Sequence, residues 1–338
     1  MSKILEVLVK ASERAACIAR SCTGSALLVA EKSTDANCRF ERDFKTIADV
    51  LAQESAKIEI SKEFPELANN VRGEECAEIG GVSIKLCETM VGTKEMLSTL
   101  IPSKTAEDLA EAAHIDINLT LDLPSDLPNL NPDDLGVWID PIDATAEFIA
   151  GIKGEAGAKC GLPCVTVLIG AYLKSTGEPI IGVINQPFHN DTGRIIWGVC
   201  YDNVSLFSGT ESCDCDEEVI RNVILTSAAE KSDVKDKLAK YYTVKNLPGA
   251  GYKLMNVALN KADAYLVSHG TTYRWDTCAP HAIIKSRGGE ILKFTDLTPV
   301  TYHDPNYDDT QHYCNIGGII AFTDYSVLEN IQKLLNED

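Results

Sequence analysis

The chain has 338 residues, enough for about two domains of ordinary size. Apolar residues make up 45% and charged residues 24%, close to the averages for globular proteins, which excludes disorder for most of the chain. Fifty acidic and 31 basic side chains give a formal net charge of −19, so the surface repels nucleic-acid phosphates and anionic lipid headgroups. The sequence therefore predicts neither a nucleic-acid polymer nor a membrane as partner. A phosphorylated metabolite would also be repelled, unless bound cations reverse the local field.

The first half of the chain predicts amphipathic helices followed by strands. Apolar side chains recur at helical spacing in the segments 2–22 and 46–60, and 105–113 is predicted to be a short exposed helix. Val/Ile-rich runs separated by turn residues predict antiparallel strands at 164–173, 180–186 and 194–201. The acidic stretch Gly209–Glu218 then predicts an interdomain linker. It divides the chain into an α+β subdomain, residues 1–208, and an α/β subdomain, residues 220–338.

In the second half, strands and helices alternate. Strand-like runs are predicted at 223–226, 242–245, 264–267, 290–294 and 316–322. Helices are predicted between and after them, at 228–240, 252–260, 277–287 and 326–335. This alternation is typical of a mostly parallel sheet that is covered by helices on both faces.

The twelve cysteines are scattered along the chain. The pair Cys160 and Cys164 and the pair Cys213 and Cys215 lack a second Cys or His pair at zinc spacing, so no structural zinc is expected. The opening residues 1–10 mix Lys and Glu with apolar side chains, unlike a signal peptide, and no apolar run reaches the ~20 residues that cross a bilayer. The sequence therefore predicts a reduced, soluble, cytoplasmic protein.

The segment from Trp138 to Gly151 carries the clearest chemistry. The apolar run 135–140 predicts a strand that ends at Asp140, Pro141 is expected to force a turn, and Asp143 lies beside a helix start. Two carboxylates around such a turn suit hard cations, and the first N–H groups of the helix suit an anion. Together they suit the hydrolysis of a phosphate ester. An Asx turn with an N-cap remains an equally good interpretation of Asp-Pro-x-Asp alone.

Three further segments place carboxylates at structural transitions. Asp49 lies on the second helix, with Asp43 and Thr46 as possible caps. Arg72-Gly-Glu-Glu75 is a turn with two carboxylates, and Asp276 follows Trp275 at a helix start. Taken singly, each has a structural explanation: an exposed helix face, a solvated acidic turn or an N-cap.

Taken in order, these segments resemble the lithium-sensitive, magnesium-dependent phosphomonoesterases of the inositol monophosphatase superfamily. The signatures are W-I-D-P-I-D-A-T at 138–145 and W-D-T-C-A-P-H-A at 275–282, with D-F-K-T-I-A-D at 43–49, G-E-E at 73–75 and G-A-G-Y-K at 249–253. The match covers essentially the whole chain and is closest to the branch that removes the 1-phosphate of inositol polyphosphates. It implies the layered αβαβα sugar-phosphatase fold, with an antiparallel sheet in the N-terminal half and a mostly parallel sheet in the C-terminal half.

The resemblance also implies roles for individual residues. The implied ligands of two or three Mg²⁺ ions are Glu74, Asp140, the carbonyl of Ile142, Asp143 and Asp276. Catalysis is assigned to Asp49, Thr145 and Glu74, with Asp49 and Thr145 orienting and deprotonating the attacking water. The implied substrate-contacting residues are Ala144, Thr145, Gly251, Lys253 and His269. Relatives usually carry Gly or Ser in place of Ala144, and often a carboxylate near the position of His269.

The implied function is hydrolysis of the 1-phosphate of inositol 1,4-bisphosphate and inositol 1,3,4-trisphosphate, with inhibition by Li⁺ in place of a weakly held Mg²⁺. An alternative is a 3′(2′),5′-bisphosphate nucleotidase acting on 3′-phosphoadenosine 5′-phosphate. A third possibility is a non-catalytic inositol phosphate binder, although such a protein would be expected to lose a metal carboxylate or the threonine. We expect Cys278 and His281 to be packed core residues.

Overall fold

The computed structural model describes residues 1–22, 27–31, 44–125, 127–157, 160–210, 222–303 and 313–336. The chain forms two compact units: the first comprises 1–169 and 185–195, and the second 170–184 and 196–338. The predicted linker Gly209–Glu218 lies almost entirely outside the described residues, as does Asp43. The predicted division between residues 208 and 220 stays a prediction.

The first unit opens with helices that pack on one another. Its first elements are α1 (Ser2–Ser21), β1 (Val29–Glu31), β2 (Phe44–Thr46), α2 (Ile47–Glu63), β3 (Val71–Gly73), β4 (Glu78–Ile79), β5 (Val82–Ser83), α3 (Met90–Leu97) and α4 (Ser103–His114). Helix α1 packs against α2 and α4 through its buried apolar face. The three predicted helices are confirmed, but the prediction that 105–113 is exposed is wrong, because one face of α4, with Leu109 and Ala113, is buried. Helix α3 is not predicted because only Thr93 and Leu97 of its eight residues are buried, which leaves little helical apolar spacing.

Strand β6 (Leu135–Asp143) continues past the proline that is expected to end it. The prediction that Pro141 terminates the strand is therefore wrong. The physical reason lies in the pairing, because β3 is parallel to β6 and its last paired residue, Gly73, faces Ile139. Pro141 lies beyond that ladder, so its missing N–H removes no hydrogen bond to β3. Helix α5 (Thr145–Ile152) follows, as predicted.

Four more strands complete a six-stranded sheet: β7 (Thr166–Leu173), β8 (Pro179–Gln186), β9 (Arg194–Tyr201) and β10 (Val204–Phe207). The strand order is β10-β9-β8-β7-β6-β3. Strands β9 and β10 pair antiparallel. The connections at 174–178 and 187–193 are shorter than the dozen or so residues that a parallel crossover needs, so β7, β8 and β9 alternate in direction. Strands β7 to β10 thus form an antiparallel run, as predicted, whereas β3 and β6 at one edge of the sheet form a parallel pair.

The second unit alternates strands and helices as predicted. Its elements are β11 (Val223–Thr226), α6 (Ser232–Ala239), β12 (Thr243–Asn246), α7 (Ala250–Ala258), β13 (Ala264–Val267), α8 (Arg274–Ser286), β14 (Glu290–Lys293), β15 (Ile319–Phe322) and α9 (Tyr325–Asn336). The strand order is β12-β11-β13-β15-β14. Strand β11 is parallel to β12 and β13, but β15 is antiparallel to both β13 and β14. Strands β12, β11, β13 and β14 therefore run in one direction and β15, between β13 and β14, runs in the other, so the sheet is mostly parallel, as predicted.

Helix α8 is held close to the strands by glycines. A Cβ added at Gly182 would lie 1.9 Å from the carbonyl oxygen of Ala279, and one at Gly170 would lie 2.5 Å from the Ala279 nitrogen. Cys278 and His281 are buried in this helix, which confirms their packing role. The His281 imidazole hydrogen-bonds the Tyr302 hydroxyl at 2.8 Å and also contacts Glu290. This packing fixes the middle of α8 against β7 and β8.

None of the helices in the described part of the chain combines the length and apolar character that crossing a lipid bilayer requires.

Candidate metal and phosphate site

Two carboxylates are buried at the end of β6. All nine residues of this strand are buried, and Asp140 and Asp143 are only 1% and 7% exposed. Each offers a carboxylate oxygen within 4.8 Å of the other. The Thr166 hydroxyl donates a hydrogen bond to Oδ2 of Asp143 at 3.1 Å. Burying two like charges this close together is costly, and a bound cation relieves both the repulsion and the loss of water. The structure thus contains an acidic cluster that could bind a metal ion.

The donor set at this strand end fits a hard divalent cation. Asp140 and Asp143 offer carboxylate oxygens, and the carbonyl of Ile142 lies between them in the chain. That carbonyl accepts a hydrogen bond from Thr145 Oγ1 at 3.2 Å and retains a second lone pair. Mg²⁺ and Ca²⁺ prefer oxygen ligands of these types, whereas zinc sites favour sulfur and nitrogen.

A helix begins one residue after this acidic pair. Ala144 is the N-cap of α5, and its backbone lies in the left-handed region at φ 68° and ψ 47°. That conformation costs a non-glycine residue roughly 1–2 kcal/mol. Because the Ala144 methyl group cannot cap the helix, no N-cap side chain satisfies the first N–H groups of α5. Such N–H groups favour an anion. Cation ligands and anion donors therefore adjoin each other in the sequence Asp143-Ala144-Thr145.

Asp49 is fixed at the start of α2 by a capping box. Its Oδ2 accepts hydrogen bonds from the Thr46 N–H at 2.7 Å and from the Thr46 hydroxyl, and Thr46 in turn caps the Asp49 N–H. Its Oδ1 accepts a hydrogen bond from Thr145 Oγ1 at 3.4 Å. The structure therefore brings Asp49 and Thr145 together, although they are far apart in sequence. Thr46, one of the two predicted caps, is confirmed.

Glu74 follows β3 and is tied to β6. Its N–H donates to the carbonyl of Ile139, the residue directly before Asp140, at 3.1 Å. The next residue, Glu75, is held by the side chain of Gln53 on α2. Sequence reasoning missed Gln53. The available signal is a large amide four residues after Asp49, directly after the apolar run 50–52 of α2.

In the second unit, Asp276 lies in the first turn of α8. It is 8% exposed, and its Oδ2 accepts the N–H of Tyr273 at 2.6 Å. The Asn315 side chain also holds this helix start, donating to the Tyr273 carbonyl at 3.2 Å and to Thr277 Oγ1 at 3.3 Å. Asp276 is therefore a buried carboxylate with one oxygen committed to its own helix.

The predicted substrate-contacting residues of the second unit lie in α7 and after β13. Gly251 and Lys253 are in the first turns of α7. The Lys253 ammonium donates to the carbonyls of Leu247 at 3.0 Å and Gly249 at 2.7 Å, and lies 5.0 Å from the Tyr265 ring centre. His269 follows β13, with its Nδ1 3.9 Å from a carboxylate oxygen of Glu230.

The predicted site residues divide between the two units. Asp49, Glu74, Asp140, Ile142, Asp143, Ala144 and Thr145 belong to the first unit, and Gly251, Lys253, His269 and Asp276 belong to the second. Two cysteines near these carboxylates stay protonated at neutral pH. Burial, together with the Asp49 charge, raises the pKa of Cys22 to about 12. Burial raises the pKa of Cys278 well above its usual value, so neither thiol is a nucleophile.

Comparison with known proteins identifies relatives along the whole chain. A family model described as "Inositol monophosphatase family" matches residues 1–321. Human inositol polyphosphate 1-phosphatase is 35% identical over 389 residues, covering 99% of this chain and 97% of the relative. Human 3′(2′),5′-bisphosphate nucleotidase 1 is 30% identical, covering 82% of this chain and 79% of the relative.

Solved structures of the same fold support the predicted fold class. An inositol monophosphatase from Thermotoga maritima superposes with a TM-score of 0.61 at 17% identity, covering 99% of this chain and 97% of that one. The extragenic suppressor protein suhB from Bartonella henselae gives a TM-score of 0.60 at 17% identity, with full coverage of both chains. The fold class predicted from the sequence is confirmed.

Thr46→Ala removes the hydroxyl that takes part in the α2 capping box. We expect the free energy of unfolding to fall by ~1 kcal/mol, because loss of a threonine N-cap typically costs this much. Urea denaturation monitored by circular dichroism measures the change. Thr46→Ser keeps the hydroxyl and is the matched control, expected to lose much less. Equal stability of Thr46→Ala and wild type would contradict the capping assignment.

Proposed function

Because the chain belongs to the inositol monophosphatase family and is a phosphatase, we propose that it is a Mg²⁺-dependent enzyme acting on inositol polyphosphates. Its proposed reaction is hydrolysis of the 1-phosphate of inositol 1,4-bisphosphate and inositol 1,3,4-trisphosphate. The observation that carries the proposal is the buried pair Asp140 and Asp143 beside the start of α5. The whole-length similarity to inositol polyphosphate 1-phosphatase supports this substrate class.

The proposed metal ligands are the carboxylates and the carbonyl that the family resemblance implies. Glu74, Asp140, Asp143 and Asp276 would supply carboxylates and Ile142 a carbonyl oxygen, enough for two or three Mg²⁺ ions. Mg²⁺ supplies charge neutralisation of the phosphoryl oxygens and lowers the pKa of a water molecule. The protein's net charge of −19 gives the ions a second role, since an anionic substrate would otherwise be repelled.

Asp49 and Thr145 are the proposed proton acceptors for the attacking water. The Thr145 oxygen lies 3.4 Å from Asp49 Oδ1 and 3.2 Å from the Ile142 carbonyl, and its single proton can be donated to one of them at a time. When the hydroxyl points to Asp49, it can accept a proton from water and pass its own proton to the carboxylate. Asp49 cannot turn away, because Thr46 holds its other oxygen through two hydrogen bonds. The water oxygen then attacks phosphorus as the bond to the inositol oxygen breaks.

The start of α5 is the proposed cradle for the scissile phosphate. The N–H groups of Ala144 and Thr145 would donate to phosphoryl oxygens, assisted by the positive end of the helix dipole. Ala144 keeps the N–H that a glycine or serine would offer. Because the backbone of Ala144 is left-handed, a glycine would be less strained at this position.

Gly251, Lys253 and His269 are proposed to contact the rest of the substrate. The Lys253 ammonium donates to the backbone carbonyls of Leu247 and Gly249, just before α7, which fixes its position. An ammonium fixed in this way suits a second phosphate group on the inositol ring. The imidazole nitrogens of His269 would exchange hydrogen bonds with substrate hydroxyls.

We also propose that the protein works in a reducing compartment, the cytoplasm. Every cysteine among the described residues is free, including the exposed Cys76 and Cys160. Exposed thiols persist where disulfide formation is disfavoured.

Thr145→Val tests the proton-transfer pair. This variant keeps the side-chain size but removes the hydroxyl, so we expect turnover to fall about 10²–10⁴-fold, the range for loss of general-base assistance. Phosphate release under saturating Mg²⁺ measures it, with thermal unfolding as a check on folding. Thr145→Ser restores the hydroxyl and should keep most of the activity. Turnover of Thr145→Val within about twofold of wild type would contradict the assignment.

A substrate panel separates the two proposed enzyme classes. We expect kcat/KM to be highest for inositol 1,4-bisphosphate, lower for inositol 1-phosphate and lowest for 3′-phosphoadenosine 5′-phosphate. Malachite-green detection of released phosphate gives the values. A preference for the nucleotide would overturn the inositol assignment in favour of the nucleotidase alternative, which the similarity to bisphosphate nucleotidase 1 supports. No release from any of the three would leave only the non-catalytic binder.

Lithium is expected to inhibit the enzyme by occupying a weakly held Mg²⁺ position. Li⁺ is small and binds oxygen ligands, but it has half the charge of Mg²⁺ and so stabilises the reacting phosphate less. Turnover measured in LiCl should fall, whereas NaCl and KCl at the same ionic strength should leave it nearly unchanged. Identical curves for the three salts would rule out lithium inhibition.

A further inference from the structure

Gln53 is a fully buried amide in the middle of α2, and both ends of that amide are bonded to one residue. Its Oε1 accepts the N–H of Glu75 at 2.8 Å, and its Nε2 donates to the Glu75 carbonyl at 2.5 Å. It has no exposed surface. Burying an amide is costly unless its hydrogen bonds are made, and here the side chain pairs with the backbone as a neighbouring strand would.

The neighbouring glycine makes this close approach possible. A Cβ added at Gly73 would lie 2.0 Å from Gln53 Oε1 and 2.5 Å from its amide carbon. Gly73 has no positive φ, so its small size, rather than its conformational freedom, is what the position requires. Gly73 and Gln53 therefore form one packed contact, and changing either disturbs the other.

This contact fixes Glu74 from both sides. Before it, Gly73 pairs with Ile139 in the parallel ladder, and the Glu74 N–H donates to the same Ile139. After it, Gln53 holds Glu75. The backbone of Glu74 is therefore tied to β6 on one side and to α2 on the other. Residues four apart lie on one face of a helix, so Asp49 and Gln53 present the same face of α2.

We propose that Gln53 is a positioning residue for the metal site, acting through the backbone of Glu75 to hold the Glu74 carboxylate in place for Mg²⁺. This inference rests on the proposed function, in which Glu74 is a metal ligand. Gln53 does not touch the metal or the substrate. It links the helix that carries the proposed base, Asp49, to the turn that carries a proposed ligand. Residues that orient metal ligands in this way typically contribute 10–100-fold to metal affinity.

The test measures Mn²⁺ binding directly, by electron paramagnetic resonance of free Mn²⁺ in titrations of the full chain. Gln53→Met keeps the side-chain volume and removes both hydrogen bonds, and we expect about 10–100-fold weaker binding. Gly73→Ala should weaken binding similarly, because its new Cβ displaces the amide. The double variant should be little weaker than either single variant, because both disturb one contact. Saturating Mg²⁺ should restore most of the turnover.

Ser55→Ala is the matched control. Ser55 is buried on the same helix, and its hydroxyl makes no hydrogen bond among the described residues, so Mn²⁺ affinity should stay within about twofold of wild type. Glu74→Gln distinguishes failure of the Gln53 role from failure of the Glu74 ligand assignment. Wild-type Mn²⁺ affinity in Gln53→Met and in Gly73→Ala, with weakened binding in Glu74→Gln, would overturn the role of Gln53. Wild-type affinity in Glu74→Gln would overturn the ligand assignment itself.

Discussion

The structure depends on the burial of two like charges at the carboxyl end of β6. Asp140 and Asp143 lie within 4.8 Å of each other in a strand with no exposed residue. Two carboxylates in such a place are unfavourable unless something positive compensates them. The surrounding groups fit this need: Thr166 donates to Asp143, and the next residues start a helix whose N–H groups favour an anion. One short segment of chain thereby carries both carboxylates that could bind a cation and N–H groups that favour an anion.

At the starts of α2 and α8, one carboxylate both caps its helix and has a proposed role in the site. Asp49 and Asp276 each use Oδ2 to accept the N–H of the N-cap residue directly before their helix. In Asp49 the other oxygen accepts the Thr145 hydroxyl. A carboxylate whose orientation is set by its own helix loses little further freedom when it takes part in catalysis. The proposed base is therefore oriented before substrate binds, and disruption of the α2 cap affects stability and activity together.

Much of this could be predicted from local sequence. The pattern Asp-Pro-x-Asp before a helical segment indicates a carboxylate pair at a strand end, and Thr46 three residues before Asp49 indicates a helix cap. Contacts between residues that are far apart in the sequence could not be predicted. Whether Pro141 ends β6 depends on how far its partner strand extends, and the pairing of Gln53 with Glu75 depends on space left by Gly73. The direction of β15 depends likewise on which strands it joins.

The most direct test of a cation at the buried pair is a crystal structure of the full chain with Mn²⁺, using anomalous scattering to locate the ion. We predict an anomalous peak within ~2.0–2.6 Å of carboxylate oxygens of both Asp140 and Asp143, the range for hard divalent cations bound to oxygen. A well-ordered crystal grown in saturating Mn²⁺ with no such peak would contradict the account, because the two charges would then be compensated without a metal.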